Sequence, residues 1–87
     1  MILSNEPGYY KKGHFGIRIE NLLFVKNIKK KLIFENLTLA PIEKELTNHS
    51  LLTSSEKSYL FKYHLNIYSK ISKYLNNAEK KWLTSFI

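Results

Sequence analysis

The 87-residue chain contains no cysteine, no aspartate and a single arginine, with only two prolines and three glycines. Without cysteine there are no disulfides, no thiolate nucleophile and no Cys-based zinc site, which fits a reducing compartment. No apolar run approaches the ~20 residues of a membrane span. The N-terminus lacks the basic-then-apolar pattern of a signal peptide, so the two sequons, Asn36 to Thr38 and Asn48 to Ser50, have no secretory context. Scarcity of arginine weakens the reading that the net charge of +7 first invites. Thirteen of the fourteen basic residues are lysine, and Arg18, the residue type suited to bidentate phosphate and base contacts, stands in an apolar stretch. Nucleic acid is therefore not the expected partner, and neither is a membrane.

What is present is material for packing: 44% hydrophobic residues and twelve aromatics. Residues 1–40 read as strands. Met1–Ser4 is a short extended piece, Pro7-Gly8 supplies a turn, and Lys11–Gly16 is a second break. Phe15–Val25 is apolar apart from Arg18, Glu20 and Asn21, the pattern of a strand buried on both faces. Asn27–Lys31 reads as a lysine-rich turn, and Leu32–Ala40 as a third strand ended by Pro41, with antiparallel pairing of the last two strands.

Beyond a connector over 41–52 with one helical turn, the period changes. Thr53-Ser54-Ser55-Glu56 is a capping box. Leu60, Tyr63, Ile67, Ile71 and Tyr74 recur at helical spacing, which predicts about five turns of helix packing one face on the sheet. Asn76-Asn77 ends that helix, and Ala78, Trp82, Leu83 and Phe86 mark a shorter one. The tyrosines and tryptophan of these helices read as core. The fold class expected is α+β: a small antiparallel sheet followed by two C-terminal helices.

Two carboxylates stand at special points, Glu6 before a rigid Pro-Gly and Glu20 inside the apolar stretch. Arg18 and Glu20 are two apart and so share a strand face. A carboxylate in apolar surroundings needs a cation, either a metal ion or the neighbouring Arg18. The residues alone leave two readings open: a simple Arg18–Glu20 ion pair with Glu6 on the surface, or part of a metal site. Two glutamates are too few ligands for a hydrolytic metal centre by themselves. Of the histidines, His14 and His49 read as solvated, and His64 as a core or border residue.

Ser4-Asn-Glu-Pro-Gly-Tyr-Tyr10 and Gly16-Ile-Arg-Ile-Glu-Asn21, with Leu37-Thr-Leu-Ala-Pro-Ile42 and Ser50-Leu-Leu-Thr53 behind them, resemble the closing part of Xaa-Pro aminopeptidases. These are metallopeptidases of the creatinase-like M24 family with the pita-bread fold. The resemblance implies that 1–40 is the C-terminal portion of the catalytic domain and 41–87 a C-terminal helical extension of the aminopeptidase P type. It implies that Glu6 is a ligand to one metal and a proton shuttle, that Glu20 bridges two metals, and that Arg18 and Tyr10 orient the carboxylates from behind. The cofactors implied are two divalent ions, Mn2+ by family habit, and the substrate a peptide with proline at its second position. The family's other ligands, two Asp and one His, lie upstream of the motif; this chain has no Asp and starts five residues before Glu6, so Met1 resembles an internal methionine of a longer protein. The expectation is a cytoplasmic enzyme of which these 87 residues are an inactive part, prone to self-association or homodimer formation. The competing expectation is a non-catalytic interaction module or relic, with a basic nucleic-acid-binding module as its less favoured form.

Overall fold

The computed structural model describes all 87 residues, Met1–Ile87, as two compact units, Met1–Leu39 and Ala40–Ile87. The first holds five strands: β1 (Ile2–Asn5), β2 (Gly8–Lys11), β3 (Phe15–Arg18), β4 (Asn21–Ile28) and β5 (Lys31–Asn36). They form a three-stranded antiparallel sheet ordered β1-β4-β5 and a two-stranded β2–β3 ribbon.

Both sets of pairs follow one register. Ile2 faces Phe24 and Asn5 faces Asn21; beyond the break, Gly8 faces Arg18 and Lys11 faces Phe15. In every pair the two residue numbers sum to 26, so Glu6-Pro7 is an interruption in a continuing hairpin and not the chain reversal that Pro7-Gly8 predicts. Proline explains the interruption. Pro7 has no N–H to give to the ladder, while its carbonyl still accepts from Ile19 N–H at 3.1 Å. The stretch expected as one strand over 15–25 is accordingly split at Ile19-Glu20.

The β2–β3 turn is closed by His14 N–H donating to the Lys11 carbonyl, with Gly13 at φ +76° as a type II turn requires. The β4–β5 turn is tighter than the expected five-residue loop. Asn27, Ile28 and Lys31 are in the strands, leaving Lys29 and Lys30 as the two central residues, both with positive φ (49° and 65°). That is the type I′ geometry matching strand twist, occupied by lysines where Asn-Gly is favoured. β5 stops at Asn36, although Leu37 N–H still reaches the Leu22 carbonyl and Thr38 Oγ1 accepts from Leu22 N–H.

No residue of 1–39 is buried. Phe15, Ile17 and Ile19, expected inside a doubly covered strand, are 51%, 58% and 47% exposed. The physical reason is that this unit supplies only strands, and nothing within it is layered over either apolar face.

The core lies in the second unit. A single 3-10 turn (His49–Leu51) precedes α1 (Ser54–Ile71), whose N-terminus is closed by the expected capping box of Thr53 and Glu56. A 3-10 turn over Ser72–Tyr74 follows, then α2 (Asn77–Thr84). Asn76, expected to end the first helix, instead begins the second: α1 has already stopped at Ile71, and the Asn76 side chain accepts from Glu79 N–H in a second capping box. Tyr63, Ile67 and Leu83 are buried. Tyr74 and Trp82, expected in the core, are 76% and 60% exposed. Tyr74 lies in the 3-10 turn, off the α1 stripe, and Leu83, one residue on from Trp82, takes the inward position in α2.

Candidate functional site

The continuous register determines the site. Extended over the interruption, it sets Glu6 opposite Glu20, one step beyond the Asn5–Asn21 pair. Val25 N–H to Met1 O and Ile19 N–H to Pro7 O mark the odd-numbered pairs as hydrogen-bonded ones. Counted through the break, Glu6 and Glu20 would fall at a non-hydrogen-bonded position; both lie outside the ladders, in the gap between the two paired segments. Two like charges so placed repel each other unless a cation lies between or beside them.

One cation is already there. Arg18 Nη2 stands 3.3 Å from Glu20 Oε2, with both side chains about half exposed. The expectation that the two share a face is borne out. Residues with even numbers on β2 and β3 make that face: Gly8, Tyr10, Gly16 and Arg18. Tyr10 and Arg18 thus share one side of the ribbon, Glu20 is held to Arg18, and Glu6 lies in the segment that leads into β2.

Tyr10 lies flat on it. An ideal Cβ built on Gly16, directly opposite, would stand 2.5 Å from Tyr10 Cδ1, and one on Gly8 would stand 2.7 Å from the hydroxyl oxygen. Neither position tolerates a side chain while the ring stays there. Reasoning from sequence missed this pair of glycines, though the signal was available: two glycines at alternate positions around an aromatic residue in a predicted hairpin.

The histidines are elsewhere. His14 and His49 are exposed, whereas His64 is buried on α1. His64 Nε2 accepts a hydrogen bond from Ile42 N–H at 3.1 Å, and Tyr63 donates to the Ala40 carbonyl at 2.6 Å, so adjacent α1 residues pin the start of the second unit. Burial lowers the His64 pKa below its usual 6.5, against an opposing hydrogen bond with the Leu60 backbone. This tether had no signature in the sequence. His64 also lines a cavity of about 290 Å³, with His49, Leu60, Phe61, Phe86 and two lysines, Lys44 and Lys57, among its walls. Nowhere in the chain do three or more His or Glu residues cluster as a metal site requires. Carboxylates, as hard oxygen donors, fit a divalent cation in kind.

Residues 30–85 match the family described as the C-terminal region of peptidase M24. The chain belongs to that family. Among curated M24 relatives, a probable Xaa-Pro aminopeptidase P of Ajellomyces capsulatus is 42% identical over 92 aligned positions, covering 94% of this chain and 15% of the relative. That of Pyrenophora tritici-repentis is 44% identical over 84, covering 87% and 14%. The solved structure of the X-prolyl aminopeptidase of Caenorhabditis elegans, described as a cytosolic enzyme with a di-nuclear active site, superposes with a TM-score of 0.78 at 34% identity. It covers 98% of this chain and 15% of that one, and it places the two small sheets and two helices as the C-terminal part of a pita-bread aminopeptidase. The chain thus spans about 15% of the length of the M24 peptidases it matches.

Proposed function

We propose that these 87 residues are the C-terminal portion of a dinuclear Xaa-Pro aminopeptidase acting in the cytoplasm on peptides with proline in second place. The observation that supports this reading is that Glu6 and Glu20 stand in the gap between two ladders of one register, with Glu20 ion-paired to Arg18. Residues 1–40 belong to the catalytic domain and 41–87 to its helical extension. Glu6 and Glu20 each present a carboxylate to the metal pair, manganese being the ion the family resemblance favours. When bound, two such ions activate water and polarise the scissile carbonyl. The family resemblance assigns to Glu6 the role of proton shuttle. Arg18 fixes the orientation of Glu20 and offsets its charge.

Two ligand side chains hold a dinuclear centre only with others, so the 87-residue chain is inactive by itself. The purified chain with Mn2+ and an Xaa-Pro peptide is expected to release no amino acid, and manganese-dependent cleavage would contradict this. Function is tested by replacing the matching segment of the Caenorhabditis elegans relative with these residues. The chimera is expected to cleave Xaa-Pro peptides, Glu6→Gln or Glu20→Gln to abolish cleavage, and Arg18→Ala to cost about 10- to 100-fold. Full activity in the Glu20→Gln chimera would remove the reading.

A further inference from the structure

We infer that Gly8 and Gly16 form a slot, bare of Cβ atoms, that seats the Tyr10 ring and fixes its hydroxyl at the carboxylate end of the ribbon, making Gly16 a positioning residue of that site. The inference rests on the reading of Glu6 and Glu20 as cation ligands and adds a residue type with no polar group of its own.

The geometry is specific. The Cδ1/Cε1 side of the ring covers Gly16, where an ideal Cβ would meet those atoms at 2.5 and 3.0 Å. The Cε2/Cζ side and the hydroxyl cover Gly8, where a Cβ would meet Cε2 and Cζ at 2.9 Å and the oxygen at 2.7 Å. Real Cβ contacts essentially never fall below 3.0 Å, so an alanine at either position requires the Tyr10 ring to shift from where it lies. Backbone conformation is not the reason for these glycines, since Gly13 is the one glycine with positive φ. A glycine inside a strand otherwise costs stability, and close approach by another group is what it permits.

The direction of the ring gives the slot its consequence. Gly8 faces Arg18 and is two residues from Glu6, about 7 Å along the chain. A hydroxyl held over Gly8 is at the end of the ribbon nearer Glu6, although no Tyr10–Glu6 hydrogen bond is made in this conformation. Freed from the slot, the phenol has open solvent in which to turn, since Tyr10 is 65% exposed.

The 87-residue chain suffices for the test. In its proton NMR spectrum the Gly8 and Gly16 Cα protons, lying under the ring, are expected to be shifted upfield, and Tyr10→Leu to remove both shifts. Tb3+, an oxygen-seeking probe ion, is then titrated with excitation through tyrosine. Sensitised emission is expected to be lost in Glu6→Gln and Glu20→Gln and reduced in Tyr10→Phe. Gly16→Ala is expected to abolish the upfield shift at Gly8 and to reduce emission as far as loss of the Tyr10 contribution does, with Tb3+ half-saturation unchanged. If Gly16→Ala alone unfolds, Tyr10→Leu/Gly16→Ala, which has no ring to collide with, is expected to fold. Absent upfield shifts in the parent chain, undiminished emission in folded Gly16→Ala, or an unfolded double variant each overturn the slot. Upfield shifts present with Tb3+ binding that ignores both glutamates overturn the cation reading instead, and with it the positioning role.

Discussion

Arg18 and His64 show two ways in which a single side chain is fixed, one by charge and one by a backbone partner. Arg18 balances Glu20 across 3.3 Å in a half-exposed setting, where the pair contributes orientation more than stability. His64 is buried and accepts a hydrogen bond from Ile42, a role open only to neutral imidazole. Folding therefore favours the neutral form, and the unfolded chain binds the extra proton between the lowered native pKa and 6.5. Stability of the helical unit is expected to be full above about pH 6.5, to fall as pH drops through that window, and then to level off. Chemical denaturation followed by helix signal across that range checks it, with His64→Gln expected to flatten the profile. A profile unchanged by His64→Gln would place the effect elsewhere. His64→Ala, which leaves the Ile42 N–H without its acceptor, is expected to cost about 1 to 3 kcal/mol. The Arg18–Glu20 ion pair was legible in the sequence because charge inside an apolar stretch stands out. His64 was not, because its partner is a backbone group 22 residues away, which no side-chain pattern announces.

Sequence and structure agree on the elements where local chemistry decides them and differ where pairing does. Both capping boxes obey local rules, and Thr53→Ala or Asn76→Ala is expected to cost about 1 kcal/mol each in thermal or urea unfolding of the helical unit. The predicted period of α1 holds over Ser54–Ile71 and fails at Tyr74, where a 3-10 turn alters the angular step between side chains. Strand boundaries differ at Pro7 and Ile19-Glu20, because the split of one apolar run into β3 and β4 comes from a missing ladder bond on the opposite strand, not from the run itself. Lys29 and Lys30 are expected within a longer loop, since nothing about lysine signals a type I′ turn. Left-handed backbone costs a non-glycine residue about 1 to 2 kcal/mol. The double substitution Lys29→Asn with Lys30→Gly, which supplies the residue types this turn favours, is expected to stabilise the sheet unit by about 1 kcal/mol or more. Protection of the β4 and β5 amides from hydrogen exchange reads that gain, and unchanged or weaker protection would show that the lysine turn is not strained.

At the scale of the whole chain, the two units differ in kind. Residues 40–87 have a small core of their own around Tyr63, Ile67 and Leu83, whereas residues 1–39 leave Ile2, Leu32 and Phe34 about two-thirds exposed or more. A sheet apolar on both faces and covered on neither is built to be packed against further chain, consistent with a segment spanning about 15% of its relatives. Hydrogen exchange in the isolated chain is expected to be slowest around Tyr63–Ile67 and markedly faster in the strands. Self-association through the exposed strands is expected to rise with concentration in sedimentation. In the proposed reading, the sheet unit brings Glu6 and Glu20 to a single cation position. The most direct test is Mn2+ titration of the chain carrying isotope-labelled glutamate, followed by paramagnetic broadening of the seven side-chain signals. The account predicts that Glu6 and Glu20 broaden first and together, well before Glu35, Glu43, Glu45, Glu56 and Glu79, and that Glu6→Gln weakens the effect at Glu20. Broadening that spreads evenly over all seven, or that reaches Glu6 and Glu20 independently, would contradict it.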